Sequence, residues 1–478
     1  MKRFDILPDD VLLDVFDFYV KINLSSPNIG KREIEAWQSL VHVCRRWRNL
    51  VFGSPRRLNL QLQCNNNTPR RLNLQLQRNK YTPAKDPLDV WPALPINIAG
   101  NMLSSSGNDS VIAVLGKSSR VRKVCLYFHN FAGWKLEEVL AQMQVPFPEL
   151  TVLQLASSDK TAPVIPDSFL GGSAPRLRHF ELNGIPFPGL PKLRLSTTHL
   201  VDLVLSDIPH SGYISPKAMA ALLCALSSLR TLCIRFLSPQ SCPDRESRSH
   251  PPLNRSILPA LHEFRFKGVT EYLEELATRI DTPQVNEMEI TFFDQINFDF
   301  PRFSQFINRT PTLRALDEAT VRMCDRSASV ILRYRTAMPT FVDFQIEISC
   351  SEADRHLSSI EQVCNSSLHT FSTVEDLYIE HLYLVVVWEG DSIENSLWLQ
   401  LLRPFTAVKN LYLLKESVPG IAAALQELVD SRLTQVVLPS LQNIFVDQFE
   451  PSGPLQEKMR QFIAVRQLSD HPVTISVW

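Results

Sequence analysis

At 478 residues the chain is several times the size of an ordinary domain, which excludes a single compact core unless a repeat array absorbs the length. Hydrophobic residues make up 44% and charged residues 21%, a globular balance that argues against general disorder. With 49 basic against 50 acidic residues the formal net charge is −1, so nothing electrostatic points to nucleic acid or an anionic membrane as partner.

The first residues run without an apolar signal-peptide core into Leu7-Pro8-Asp9-Asp10, and a cytoplasmic or nuclear address is the expectation. Pro in a first turn followed by acids at the positive end of the dipole predicts a helix start. Val11, Leu12, Val15, Phe16 and Tyr19 then recur at helical spacing. A polar break covers residues 23–30. Helical pattern resumes at Ile34, with Trp37, Leu40, Val41, Cys44, Trp47 and Val51 on one face, and Gly53 stops it. Two such short helices make a poor independent core. They suit either a cap on the rest of the chain or a surface completed by another protein.

Leu7-Pro8-x-x-Val11-Leu12-x-x-Val15-Phe16, followed by Leu40-Val41-x-Val43-Cys44-Arg45-Arg46-Trp47-Arg48, resembles the F-box in order, spacing and residue type. The connection from Lys21 to Glu35 is longer than is usual in that family. The wider run through Phe52-Gly53-Ser54-Pro55-Arg56-Arg57-Leu58 is similar to F-box proteins of mushroom-forming fungi. The resemblance implies docking onto a Skp-type adaptor and, through it, a cullin. It would place Leu7, Pro8, Val11, Leu12, Val15, Phe16, Leu40, Val43, Cys44 and Trp47 at or near the adaptor contact.

Residues 55–63 recur word for word as residues 69–77. Each copy carries Leu-Asn-Leu-Gln-Leu-Gln, whose period of two predicts a half-buried strand. The shift of 14 residues is too short for a familiar solenoid unit, so one copy is expected to dock and Cys64 to Gln77 to be an insertion. From Ala36 to Lys85 there is no acidic residue against ten Arg or Lys. This is either a solvated basic strip or a match to an acidic partner.

Beyond residue 115 one phrase returns: apolar-x-x-apolar-x-apolar. It occurs from Val121, Leu150, Leu177, Leu200, Leu229, Leu261, Val285, Phe341, Val374, Val408 and Leu441, with a damaged copy from Leu313 to Glu318. Counted on its middle residue, the steps from Val124 to Met288 are 29, 27, 23, 29, 32 and 24, and those from Phe344 to Ile444 are 33, 34 and 33. Leucine-rich repeats carry such a strand at about 20–29 residues. Helices are predicted between strands at Ser215–Leu226, Glu271–Ile280, Leu357–Cys364 and Ile421–Asp430. The expected fold is α/β: a small all-α F-box head over residues 1–54, a connecting segment over 55–115, and an irregular leucine-rich-repeat solenoid over 116–478, its parallel strands backed by helices.

Chemistry-bearing motifs are missing from the sequence. Nine cysteines form no C-x-x-C pair, which argues against a zinc finger and, with the odd count, against a disulfide framework. Leu170-Gly171-Gly172-Ser173 lacks the Lys-Ser or Lys-Thr of a phosphate loop, and neither G-x-S-x-G nor H-E-x-x-H occurs. No catalytic residue, metal or cofactor is expected, and the longest apolar run, Ala218 to Leu226, falls well short of the ~20 residues that span a bilayer.

The F-box resemblance implies a substrate-recognition subunit of a Skp–cullin–F-box ubiquitin ligase that binds the adaptor through the head and an unidentified protein target through the body. The alternative is a leucine-rich scaffold whose head serves another complex. At the fifth position of the phrase the series turns aromatic in three successive units, Tyr378, Tyr412 and Phe445. If these strands are parallel neighbours, their side chains would stack at about 4.8 Å. With polar flanks at Glu375, Asp376, Lys409, Asn410, Gln442 and Asn443, that is hot-spot composition for the target, on the inner face of the repeat sheet. Simple strand preference for Tyr and Phe would also produce it.

Overall fold

A computed structural model describes residues 7–24, 39–54, 62–65, 95–102, 108–129, 133–192, 199–242, 255–294, 298, 300–314, 316–335, 344–350, 355–366, 368–382, 392–414, 417–430, 437–447, 454–468 and 471–477. It is mixed α/β with mostly parallel strands, compatible with a solenoid-like α/β fold. The chain divides into two compact units, Met1–Leu200 and Val201–Trp478.

The first unit begins with helices α1 (Asp9–Leu24) and α2 (Arg45–Gly53). Leu12, Leu13 and Phe16 of α1 and Leu40, Val41 and Val51 are buried, and Phe16 packs on Trp47 with ring centroids 4.7 Å apart. The predicted helical turns at Ile34 and Trp37 lie outside the described residues. Strands β1 (Leu62–Asn65), β2 (Ile96–Met102), β3 (Val121–Phe128), β4 (Val152–Ser157) and β5 (His179–Asn183) come next, with α3 (Asn108–Leu115) and α4 (Gly133–Gln142) between β2 and β4. Each strand pairs in parallel with the next.

Two expectations change here. Strand β1 takes in Cys64 and Asn65, pairing them with Ile98 and Ala99, so the segment expected to be an insertion supplies half of a strand. The second copy, residues 69–77, lies outside the described residues. The supposed connecting segment also contributes β2 and α3. Its strand sequence, Ile-Asn-Ile-Ala-Gly-Asn-Met, alternates like the others but lacks the leucine phrase.

The second unit holds β6 (Asp202–Ile208), β7 (Thr231–Phe236), β9 (Glu263–Gly268), β11 (Glu287–Phe293), β14 (Phe344–Ser349), β15 (Asp376–Leu382), β16 (Asn410–Leu413), β17 (Asn443–Val446) and β18 (Thr474–Val477). A two-residue pair, β8 (Ser256–Ile257) with β10 (Ile280–Asp281), lies apart. Helices α5 (Pro216–Cys224), α6 (Thr270–Ala277), α7 (Pro301–Arg309), α8 (His356–Asn365), α9 (Ser392–Leu402), α10 (Val418–Asp430) and α11 (Pro454–Leu468) occupy the connections. Their starts reflect local chemistry. Ser215 accepts the Ala218 N–H at 3.3 Å ahead of a proline in the first turn of α5. Both oxygens of Glu274, on α6, accept the first N–H groups of α7, from Arg302 at 3.1 Å and Phe303 at 2.7 Å.

The leucine phrase works as period two requires. In β4 Leu153 and Leu155 are buried while Gln154 is half-buried, and the phrase's first residue, Leu150, is buried just ahead of the strand. At the second position a carbonyl accepts two N–H groups of the next unit. Asp317 O takes those of Glu375 and Asp376, Glu375 O takes those of Lys409 and Asn410, and Lys409 O takes those of Gln442 and Asn443.

That same bond corrects the damaged copy. The phrase is intact three residues later, as buried Leu316, Ala319 and Val321, with Ala in the place of a large residue. It opens an insertion: β12 (Glu318–Cys324) and β13 (Ser327–Arg333) form an antiparallel hairpin. Strand β13 pairs antiparallel with β14, and β12 pairs parallel with β15. The order across this region is therefore β11-β14-β13-β12-β15.

Candidate functional site

The ten residues expected at the adaptor contact fall into two sets. Leu12, Phe16 and Leu40 are buried in the head itself, and Trp47, half-buried, packs on Phe16. Leu7, Pro8, Val11, Val15, Val43 and Cys44 are exposed, Val15 by 50% and Val43 by 59%. Val11, Val15, Phe18 and Tyr19 stand at i, i+4, i+7 and i+8, one stripe of α1, and all four are exposed. Phe18, at 66% the most exposed of them, is hard to single out in the sequence because the periodicity of the buried stripe dominates the pattern.

The two ends of the motif are tied together. The guanidinium of Arg46 donates to the Leu7 carbonyl at 2.6 Å and to the Asp9 carboxylate at 2.6 and 3.1 Å. The Cys44 sulfur caps α2 by accepting the Trp47 N–H at 3.4 Å, and Arg48 donates to the Val41 carbonyl at 3.0 Å. The start of α1 is thus held against the start of α2 while the apolar stripe stays open.

In the second unit Tyr378, Tyr412 and Phe445 are direct register partners across β15, β16 and β17. Their ring centroids lie 4.2 and 4.7 Å apart, with planes within 6° and 12° of parallel, and all three are half-buried. Neighbouring Leu377, Ile379, Leu411, Leu413, Ile444 and Val446 are buried, so the stack stands on the sheet face opposite the core. Burial first, then the neighbouring Tyr412, pushes the Tyr378 phenol up to about 12.

Beside the stack runs a chain of side-chain hydrogen bonds. Thr474 Oγ1 donates to Asn443 Oδ1 at 2.7 Å, Asn443 Nδ2 to Asn410 Oδ1 at 2.8 Å, and Asn410 Nδ2 to Asp376 Oδ1 at 2.6 Å. Arg335 closes the chain on the other oxygen of Asp376. Lys409 pairs with Glu375 at 2.7 Å, and Arg322 with Glu380 at 2.7 Å. Position three, which the sequence marks only as polar, is this ladder.

Two further clusters share the outward-facing positions of the strands. In the first unit Gln154 Nε2 donates to Glu181 at 2.9 Å and the Cys125 thiol donates to Gln154 at 2.9 Å. Burial pushes that thiol up, away from nucleophile character. In the second unit Arg265 lies among Glu263, Glu287 and Glu289, and Arg235 pairs with Glu289 at 3.1 Å. Among the described residues no three His, Cys, Asp or Glu side chains gather as a metal site requires, and no helix is long and apolar enough to cross a membrane. No protein-family model matches the chain, and no curated protein matches it.

Proposed function

We propose that the chain is the target-recognition subunit of a Skp–cullin–F-box ubiquitin ligase, with the head on the adaptor and a leucine-rich-repeat body holding a protein target. The observation that carries the reading is the Arg46 clamp. It joins the Leu-Pro start to the Val-Cys-Arg-Arg-Trp end, the two parts of the chain most like an F-box, and leaves Leu7, Val11, Val15 and Val43 open. The recurring strand phrase with helices between its copies supports the body. The transfer chemistry belongs to other subunits, and this chain contributes proximity and orientation.

The test is co-purification with the Skp-type adaptor and a cullin. Val11→Asp combined with Val15→Asp places carboxylates on exposed positions, so the fold should be unchanged. In a buried contact an unpaired carboxylate costs about 3 kcal/mol or more, over 100-fold in affinity. Adaptor bound equally well by the double variant would overturn the reading. An adaptor complex that never recruits a cullin would favour a scaffold outside ubiquitination.

A further inference from the structure

The aromatic stack is closed at one end and open at the other. Beyond Tyr378 the register partner is Thr320, which is buried to 4% exposure. Beyond Phe445 it is Ser476, which is exposed. The stacking distances of 4.2 and 4.7 Å nearly match the strand separation of about 4.8 Å, so each ring fills one strand step. Over β18 that step carries only a hydroxymethyl group. By that register, the step beside the outer face of Phe445 leaves room about as thick as one more planar group.

Acceptors flank the gap. Asp447 is the next outward position of β17, its N–H still laddered to Leu413 O at 3.0 Å. No ion pair engages its carboxylate among the described residues, whereas Glu375, Asp376 and Glu380 are each matched by a base. On the other side exposed Thr474 points its hydroxyl proton at Asn443, which turns its lone pairs outward. A ring face, a carboxylate and a hydroxyl acceptor define a guest that is planar, cationic and rich in N–H donors. Only guanidinium among the side chains is all three: it stacks on aromatic faces and pairs bidentately with carboxylates, while ammonium is compact and not planar.

We propose that the slot formed by Phe445, Ser476, Asp447 and Thr474 takes an arginine side chain of the target, inserted as the fourth member of the stack. The proposal rests on the reading of this face as the target-binding one, and names the residue type that it selects.

The probes are fluorescein-labelled Gly-Ser-X-Ser-Gly peptides with X as arginine, citrulline or lysine, titrated by anisotropy into the full chain. The arginine peptide should bind about 10-fold or more tighter than the other two, since citrulline keeps the shape without the charge and lysine the charge without the plane. Asp447→Asn and Phe445→Leu should each weaken it by roughly 2–5-fold, in the range of one exposed ion pair or cation–π contact. Ser476→Phe fills the gap with the chain's own ring, suits a strand, and should abolish the preference. Lys217→Gln, exposed on α5 and away from the stack, should change binding less than about 2-fold, as a distant, independent site. Equal binding of arginine and citrulline, no binding of any peptide, or an undiminished preference in Ser476→Phe would each overturn the slot. Adaptor recruitment should be the same in every variant. Its loss from the parent chain refutes the ligase reading alone, and an absent arginine preference with the adaptor still bound refutes the slot alone.

Discussion

Replacing Arg466 by methionine should destabilise the C-terminal end of the Val201–Trp478 unit. Arg466, on α11, is 1% exposed. Its Nη2 donates to the carbonyls of Leu438 at 3.1 Å, Pro439 at 3.2 Å and Leu441 at 3.4 Å, and its guanidinium stands 5.9 Å from the centre of the Phe462 ring. Those carbonyls belong to the turn that launches β17, where Leu438 sits at φ +49°, a left-handed conformation that costs a leucine of order 1–3 kcal/mol. Leu438 O has a second donor, the Leu441 N–H at 3.2 Å, so the substitution leaves chiefly Pro439 and Leu441 short.

One buried and one partly buried acceptor, stripped of a charged donor, cost about 1–3 kcal/mol each. Against that, burial pushes the guanidinium of Arg466 below its ordinary pKa, an opposing desolvation penalty that methionine removes. The net expectation is a loss of about 2–4 kcal/mol. At about 2–4 °C per kcal/mol for a unit of this size, melting should fall by roughly 4–16 °C. Calorimetry measures it, and hydrogen exchange over residues 437–447 should show the turn opening first. The same variant should weaken the arginine peptide, because β17 carries Phe445. Stability equal to or above that of the parent would refute the reasoning, since it would mean that the cation's desolvation outweighs its three bonds.

Other consequences are as direct. The Tyr378 phenol, pushed up to about 12 by burial first and then by Tyr412, should titrate closer to 10 in Tyr412→Phe, read by ultraviolet difference spectra; an unchanged midpoint would show that Tyr412 plays no part in it. Because the folded value lies above the unfolded one of about 10, the folded state holds the proton longer, so stability should fall as pH rises from 10 towards 12 and level off above. Glu274→Ala should cost about 1–2 kcal/mol in urea unfolding, the size of a lost helix cap, because both its oxygens hold first-turn N–H groups of α7; no loss would mean that water replaces the carboxylate.

The strands are legible wherever large apolar residues mark all three inward positions, as at Leu150, Leu153 and Leu155. Reading fails where a small residue takes one of those places. Ala319 contributes little side-chain surface, yet it is wholly buried, so the sequence suggests the phrase three residues early and hides the hairpin behind it. Strand β13 escapes for the opposite reason. Its run Ser-Ala-Ser-Val-Ile-Leu-Arg is buried at every interior position, so period two is hidden. On the head, helical periodicity finds the buried stripe, but exposure separates Val11 and Val15 from Leu12 and Phe16, and residue type alone cannot.

The aromatic row is visible in advance because parallel, in-register strands turn one position of a phrase into a line of side chains. The polar row beside it is not, since its meaning lies in direction. Every donor from Thr474 through Asn443 and Asn410 points towards Asp376, so the chain ends on one carboxylate that is 3% exposed. A buried carboxylate fed only by amides would lack a counter-charge and cost several kcal/mol. Arg335 supplies it, from two residues beyond the antiparallel strand β13. The insertion that interrupts the parallel order therefore returns a cation to the first rung of the ladder, and the ladder runs beside the aromatic stack on β15, β16 and β17 and continues to β18. A deletion of residues 317–335 that closed the parallel array would remove Arg335 and strand Asp376. Loss of the fold in that deletion, with partial rescue by Asp376→Asn, is what this dependence requires; a stable deletion variant with Asp376 intact would contradict it.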